Sequence, residues 1–190
     1  MIISLLFAAC GQEEEKSVTT APPTKQVEKP KPPKEYSFQL SNSENQALTI
    51  TVKDNFYTFS KIKQPIVLVN FFATWCPPCR GMIPHLNNLQ SQYQNQLFIL
   101  GVLLHDDVTL ERLHTCATSH KINYFIASEQ SLNQKFSDFL SPKLRLPKEF
   151  ELPLMVMFVN GKYYTHYEGV IPEEMIESDI KQALTKIEGL

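Results

Sequence analysis

The stretch Ile66-Val67-Leu68-Val69-Asn70-Phe71-Phe72 shows no alternation of apolar and polar residues. A run apolar on both faces is expected of a central strand covered on each side, so the chain around it must supply two covering layers. Directly behind it stands Trp75-Cys76-Pro77-Pro78-Cys79, and then a helical pattern, with Met82, Ile83, Leu86, Leu89 and Tyr93 spaced by threes and fours. Pro77 suits a first helical turn, where its missing N–H costs nothing. Pro84, inside the pattern, removes a backbone bond and predicts a kink. Two cysteines at such a strand-to-helix junction admit three readings: a disulfide that opens and closes, a pair of zinc ligands, or an inert staple.

The flanking segments are consistent with that central strand. Ala47 to Val52 alternates and is β-branched, Lys53-Asp54-Asn55 turns it back, and Phe56 to Phe59 is its hairpin partner. Ser60 is read as the cap of a short helical turn before Pro65. After the Cys76–Cys79 helix, Leu97 to Leu104 is a second wholly apolar strand. Asp107-Val108-Thr109 opens a helix running to His120, Tyr124 to Ala127 is a short strand, and Leu132, Phe136 and Leu140 mark another helix. A loop with Pro142 and Pro147 leads to Pro153. Leu154 to Val159 and Lys162 to Glu168 then flank Asn160-Gly161, a strong hairpin signal. A last helix starts at Ile171-Pro172-Glu173 and runs through Ile187. The reading is an α/β fold: a central mixed β-sheet flanked by helices, with an N-terminal β-hairpin extension.

The N-terminus is of another kind. Ile2 to Ala9 is too short to span a bilayer, which takes about 20 residues, and ends Phe7-Ala8-Ala9-Cys10. Small residues before a cysteine resemble a bacterial lipoprotein signal, although Phe7 stands where that family usually carries Leu; the resemblance implies cleavage and lipidation of Cys10. The following segment is rich in Glu, Lys, Thr and Pro and has no aromatic residue up to Lys34, a composition that predicts a disordered spacer. The expected organisation is a signal over 1–9, a lipidated Cys10 and linker over 10–35, and one domain over 36–190. A net charge of −2 gives no sign of nucleic-acid binding.

Zinc would need two more ligands, and neither a second Cys-x-x-Cys nor a finger-like pattern among His85, His105, His114, His120 and His166 provides them. A staple across two residues gains little loop-closure entropy. Exchange is therefore the leading chemistry.

The string Val69 to Arg80, with Pro84, Pro153 before a strand, and Gly169 after the hairpin, resembles the thioredoxin fold, specifically membrane-anchored bacterial thiol–disulfide reductases of the TlpA/ResA type. The resemblance covers about Tyr36 to Leu190. It implies that Cys76, at a helix N-terminus that favours an anion, is the attacking sulfur, and that the shielded Cys79 resolves the mixed disulfide. It further implies that Trp75 walls the site and excludes water, with Pro77 and Pro78 lining it. Pro153 is then a cis-proline facing the pair, and Leu152 offers backbone groups to an extended substrate. No cofactor and no metal are expected beyond the Cys76–Cys79 disulfide. The implied role is reduction of disulfides in exported proteins, apocytochrome c among them, on the periplasmic side of the inner or outer membrane. A membrane thiol–disulfide transporter would supply electrons. An oxidase or isomerase on the same fold, or a metallochaperone, is the alternative.

Several positions qualify that reading. Asn70 stands where thioredoxin has a buried Asp, and Met82 where cytochrome-maturation reductases often carry Glu. Glu149 and Glu151 are read as solvated loop carboxylates, with service near the cysteines as the alternative. Cys116 is read as a buried small hydrophobe, Met155 and Met157 as core rather than copper ligands. A thiol peroxidase would need Thr or Ser three residues before its cysteine, where Cys76 has Ala73 and Cys79 has Cys76.

Overall fold

A computed structural model describes residues 34–189. Cys10, the apolar run before it and the linker up to residue 33 lie outside the described residues.

The sheet is built around β4 (Ile66–Phe72), every residue of which is buried. It lies parallel to β5 (Leu97–Leu103) and antiparallel to β7 (Leu154–Val159). Successive side chains of these strands enter opposite layers, as a pleated strand requires. Val67, Val69, Phe71, Leu100, Val102, Val156 and Phe158 pack on one side. Ile66, Leu68, Leu97, Ile99, Met155 and Met157 pack on the other. The two methionines are thus core residues, and Met82, fully buried, joins them.

The second layer is closed by α1 (Pro77–Gln92) and α4 (Glu173–Glu188). Tyr93 and Tyr167 fix α4 there, their hydroxyls donating to Glu177 (2.9 Å) and Asp179 (2.6 Å). Burial first, and then the Glu177 carboxylate, push the Tyr93 phenol up to about 12. Helix α1 runs continuously through Pro84.

The first layer holds the main departure from expectation. The hairpin Ala47–Lys53 (β2) and Phe56–Phe59 (β3) is present, but a further strand, β1 (Glu35–Ser41), pairs with β2. The extension is a three-stranded meander rather than a hairpin, and its first strand begins one residue before the expected boundary. Tyr36, Phe38 and Leu40 alternate with Ser37, Gln39 and Ser41, as a strand should, although only Phe38, Leu40 and Ser41 are even partly covered. With β6 (Phe125–Ala127) and β8 (Lys162–Glu168), the order is β1-β2-β3-β8-β7-β4-β5-β6. Its two ends nonetheless meet: Ser128 N–H, just past β6, donates to the Ser41 carbonyl at 2.8 Å. The sheet therefore curls around α3 (Gln130–Leu140), whose Phe136 touches Phe38 of β1 and Phe71 of β4 at ring-centre distances of 5.4 and 6.0 Å. Burying one such side chain is worth about 1.5–3 kcal/mol.

Three smaller differences have local causes. Ser60 caps no helix; it sits in a turn, where its Oγ accepts from Thr49 N–H at 2.8 Å and its N–H returns a bond to Thr49. The loop after α3 contains a single 3₁₀ turn, Ser141–Leu144, with Pro142 in it. Helix α2 is Leu110–Ser119, capped by Thr109 Oγ1 on Arg112 N–H. At the β7–β8 hairpin both Asn160 and Gly161 take positive φ, as the Asn-Gly signal predicts. A Cβ at Gly161 would stand 2.6 Å from the Tyr57 carbonyl, because β3 docks on this turn.

Candidate active site

The site forms where β4 hands over to α1. Cys76 is the N-cap of that helix, in an extended conformation, and Pro77 and Pro78 occupy the first positions. A helix start normally leaves several N–H groups without partners. Here two of them do not exist, and the next, on Cys79, donates to Cys76 Sγ at 3.2 Å. The doubled proline thus leaves one backbone donor, aimed at the sulfur. Cys76 and Cys79 are joined as a disulfide with Cα atoms 5.3 Å apart, and both are buried. In the dithiol state, the N–H and the positive end of the helix dipole would stabilise a Cys76 thiolate.

Facing the pair is the Leu152–Pro153 peptide bond, which is cis as the resemblance implies. The Leu152 carbonyl lies 3.7 Å from Cys76 Sγ. A disulfide sulfur has no proton to donate, so this is a contact, available as a hydrogen bond only in the thiol form. Gly169 N–H donates to the Pro153 carbonyl at 2.9 Å, fixing the proline to the end of β8.

The turn before Cys76 is held by residues that sequence reasoning missed. Asp106, buried, accepts from Thr74 N–H through Oδ2, and Arg80 Nη1 donates to the Thr74 carbonyl at 3.0 Å. Gln130 grips Asp106 in turn, accepting from its N–H at 2.9 Å and donating to its carbonyl. The available signal was positional: Asp106 follows β5 at its carboxyl end, where open α/β sheets place their sites.

Trp75 is 58 % exposed and stands beside Cys76 at the edge of its cleft. Its indole N–H donates to the His105 carbonyl at 2.8 Å, which holds the ring as a partition between two clefts. On one side a cleft of about 530 Å³ runs from Cys76, Pro77 and Pro78 to His105 and the segment Glu149–Leu152. On the other, a cleft of about 540 Å³ is lined by Arg80, Asp106, Asp107, Arg112, Cys116 and His120.

Two more sequence readings change. Glu149 and Glu151 are exposed, as solvated residues should be, but both line the cleft that opens on Cys76. Cys116 is only partly buried and lines the opposite cleft instead of the core, its Sγ 3.8 Å from His120 Nδ1. Burial pushes its thiol above the ordinary value; Arg80 pulls it down and Asp106 adds to the rise. Met82 is fully buried in the core about one turn beyond Cys79, and Asn70 is buried in β4 with its Oδ1 unpartnered among the described residues. Among those residues no group of three or more His, Cys, Asp or Glu side chains converges.

The family model described as Thioredoxin matches residues 47–125, which carry both cysteines. Thioredoxin Y2, chloroplastic, of Arabidopsis thaliana is 23% identical over 135 residues, 70% of this chain and 61% of that protein. The matches span less than two thirds of the first curated relatives, and only 14% of a Mycobacterium leprae bifunctional thioredoxin reductase/thioredoxin. Among solved structures, a thiol:disulfide interchange protein of the thioredoxin family from Chlorobium tepidum superposes with a TM-score of 0.61. It has 19% identity and covers 78% of this chain and 93% of that one. StoA from Bacillus subtilis gives 0.52 at 13% identity, over 76% and 96%. The chain has the thioredoxin fold, with β1–β3 extending its core.

Proposed function

We propose that this protein is a thiol–disulfide oxidoreductase that reduces disulfides in exported proteins. The observation that carries this reading is the placement of Cys76 Sγ. It receives the Cys79 N–H at the head of α1, beside the Leu152 carbonyl and at the edge of an open cleft. In the reduced protein the Cys76 thiolate attacks one sulfur of a substrate disulfide, and the other sulfur leaves and takes up a proton. Cys79 then attacks Cys76 Sγ, which releases the second substrate thiol and closes the Cys76–Cys79 disulfide. Two electrons and two protons pass to the substrate, and no cofactor takes part. Leu152 and Pro153 would dock the substrate backbone, as the family resemblance implies.

The lipoprotein-like ending at Cys10 and the proline-rich linker support a tether facing the periplasm, on either membrane. A membrane thiol–disulfide transporter is the donor we propose, and apocytochrome c a candidate substrate. Three measurements test these points. Insulin-disulfide reduction by the intact chain, lost in Cys76→Ser, tests the chemistry; stoichiometric metal binding without exchange would overturn it. The reduction potential of the pair tests the direction of electron flow. A value near about −270 mV fits a reductase, and one near about −120 mV an oxidase. Incorporation of labelled palmitate by cells expressing the chain, absent in Cys10→Ser, tests the tether.

A further inference from the structure

The segment before Pro153 has one buried residue between two charged ones. Phe150 is 8 % exposed, while Glu149 and Glu151 on either side are open to solvent. The Phe150 ring packs edge-on against Phe71 of β4, with centres 5.5 Å apart, which pins the loop to the core. Both glutamates line the cleft at Cys76, with Phe150 between them. Neither makes an ion pair with another described residue. Lys148 precedes them but does not line the cleft, and no Lys or Arg does. The remaining lining is Cys76, the rings of Trp75, Pro77, Pro78 and Phe150, His105 and Leu152. The lip of the cleft is therefore anionic and its floor apolar, whereas the arginines Arg80 and Arg112 lie beyond Trp75 in the other cleft.

We propose that Glu149 and Glu151 make this site selective for cysteine segments that carry Lys or Arg within about two residues of the reacting cysteine. The inference rests on the reading of Cys76–Cys79 as an exchanging pair. An extended segment advances about 3.3 Å per residue. With its cysteine at Cys76 and its backbone along Leu152, its adjacent positions fall against Glu151 and then Glu149. A long cationic side chain can lay its methylenes on the apolar floor and its charge on the lip. The exchange itself is the step already written: the Cys76 thiolate displaces one peptide thiol, Cys79 displaces the other, and the glutamates neither give nor take a proton.

The test uses the full chain, reduced with dithiothreitol and desalted, and symmetrical disulfides of short synthetic peptides. In these the cysteine is flanked by lysine, glutamine or glutamate. Rate constants are divided by those of free dithiothreitol with the same peptides, because flanking charge alters the peptide thiol itself. Exposed ion pairs being modest, the corrected lysine-to-glutamate ratio is expected at about three- to tenfold in low salt. It should fall towards one in 1 M salt, where screening acts within about 3 Å, and in Glu149→Gln/Glu151→Gln. In Glu149→Lys/Glu151→Lys it should invert. A corrected ratio of one in the native chain, or a ratio unchanged in the glutamine variant, would overturn the proposal. Absence of exchange with every peptide and with a small aromatic disulfide would remove the underlying reading, and the proposal with it.

Discussion

Trp75 separates two clefts of nearly equal volume, each containing a cysteine, and the two are chemically opposite. The cleft at Cys76 lies at the start of a helix, where a backbone N–H meets the sulfur. The other cleft follows the length of α2, and Cys116 stands in its last turns, where carbonyl groups gather and the dipole opposes an anion. Burial adds to that disadvantage, and Arg80 offsets only part of it. Access does not distinguish them, because Cys116 is the more exposed of the two. Position on a helix, more than exposure, separates a sulfur suited to exchange from one that is not.

The largest effect expected is the loss of disulfide exchange in Cys76→Ser, while Cys116→Ser keeps its rate within about twofold. Comparable losses in both would break the contrast. Next comes stability. Phe150→Ala removes a core anchor beneath the first cleft and should cost about 3–5 kcal/mol in urea unfolding. Thr115→Ala, on the exposed rim of the second, should stay within about 0.5 kcal/mol. The third is a pH profile. The thiolate is the nucleophile, and the Cys116 thiol is held above its ordinary value. Its alkylation by iodoacetamide should therefore be slow at pH 7 and keep rising with pH through the range in which an ordinary thiol has levelled off, whereas reduced Cys76 reacts at least about tenfold faster at pH 7. Mass spectrometry of the two peptides reads both rates. The smallest effect is Arg80→Gln. Removing the cation raises the Cys116 thiol further and should slow its alkylation at fixed pH by about two- to threefold, as a surface Coulomb term allows. Faster alkylation would mean that Arg80 shields the sulfur more than it stabilises the anion.

The readable part of the molecule is the part in which one residue type has one use. An apolar run such as Ile66–Phe72 can only be an inner strand, Asn160-Gly161 only a tight hairpin, and Cys76-Pro77-Pro78-Cys79 only a helix start. Their places in the chain followed from local geometry; the pairing of the two cysteines was one of three readings that the spacing left open. Strand β1 alternates over Tyr36–Ser41 yet was left out of the expected extension, because the helix that covers it, α3, lies some ninety residues further on. Cys116 was misjudged for a related reason: a helical stripe tells which side faces the protein, but not whether that side meets core or a cleft. The exposure of Trp75 was not legible either, because it depends on a single hydrogen bond to the His105 carbonyl, thirty residues on, that holds the ring out over the surface.

By itself the sequence determined the sheet's central strands and the helix start that carries the two cysteines, because those depend on neighbours along the chain; the proline opposite them was implied by the family resemblance. The tertiary structure alone decided the surroundings of the sulfur: Asp106 and Gln130 behind Thr74, and Glu149 and Glu151 at the lip. Charges and clefts are properties of surfaces assembled from distant segments. Phe150 is buried between two exposed glutamates only because Phe71, on another strand, is there to receive it.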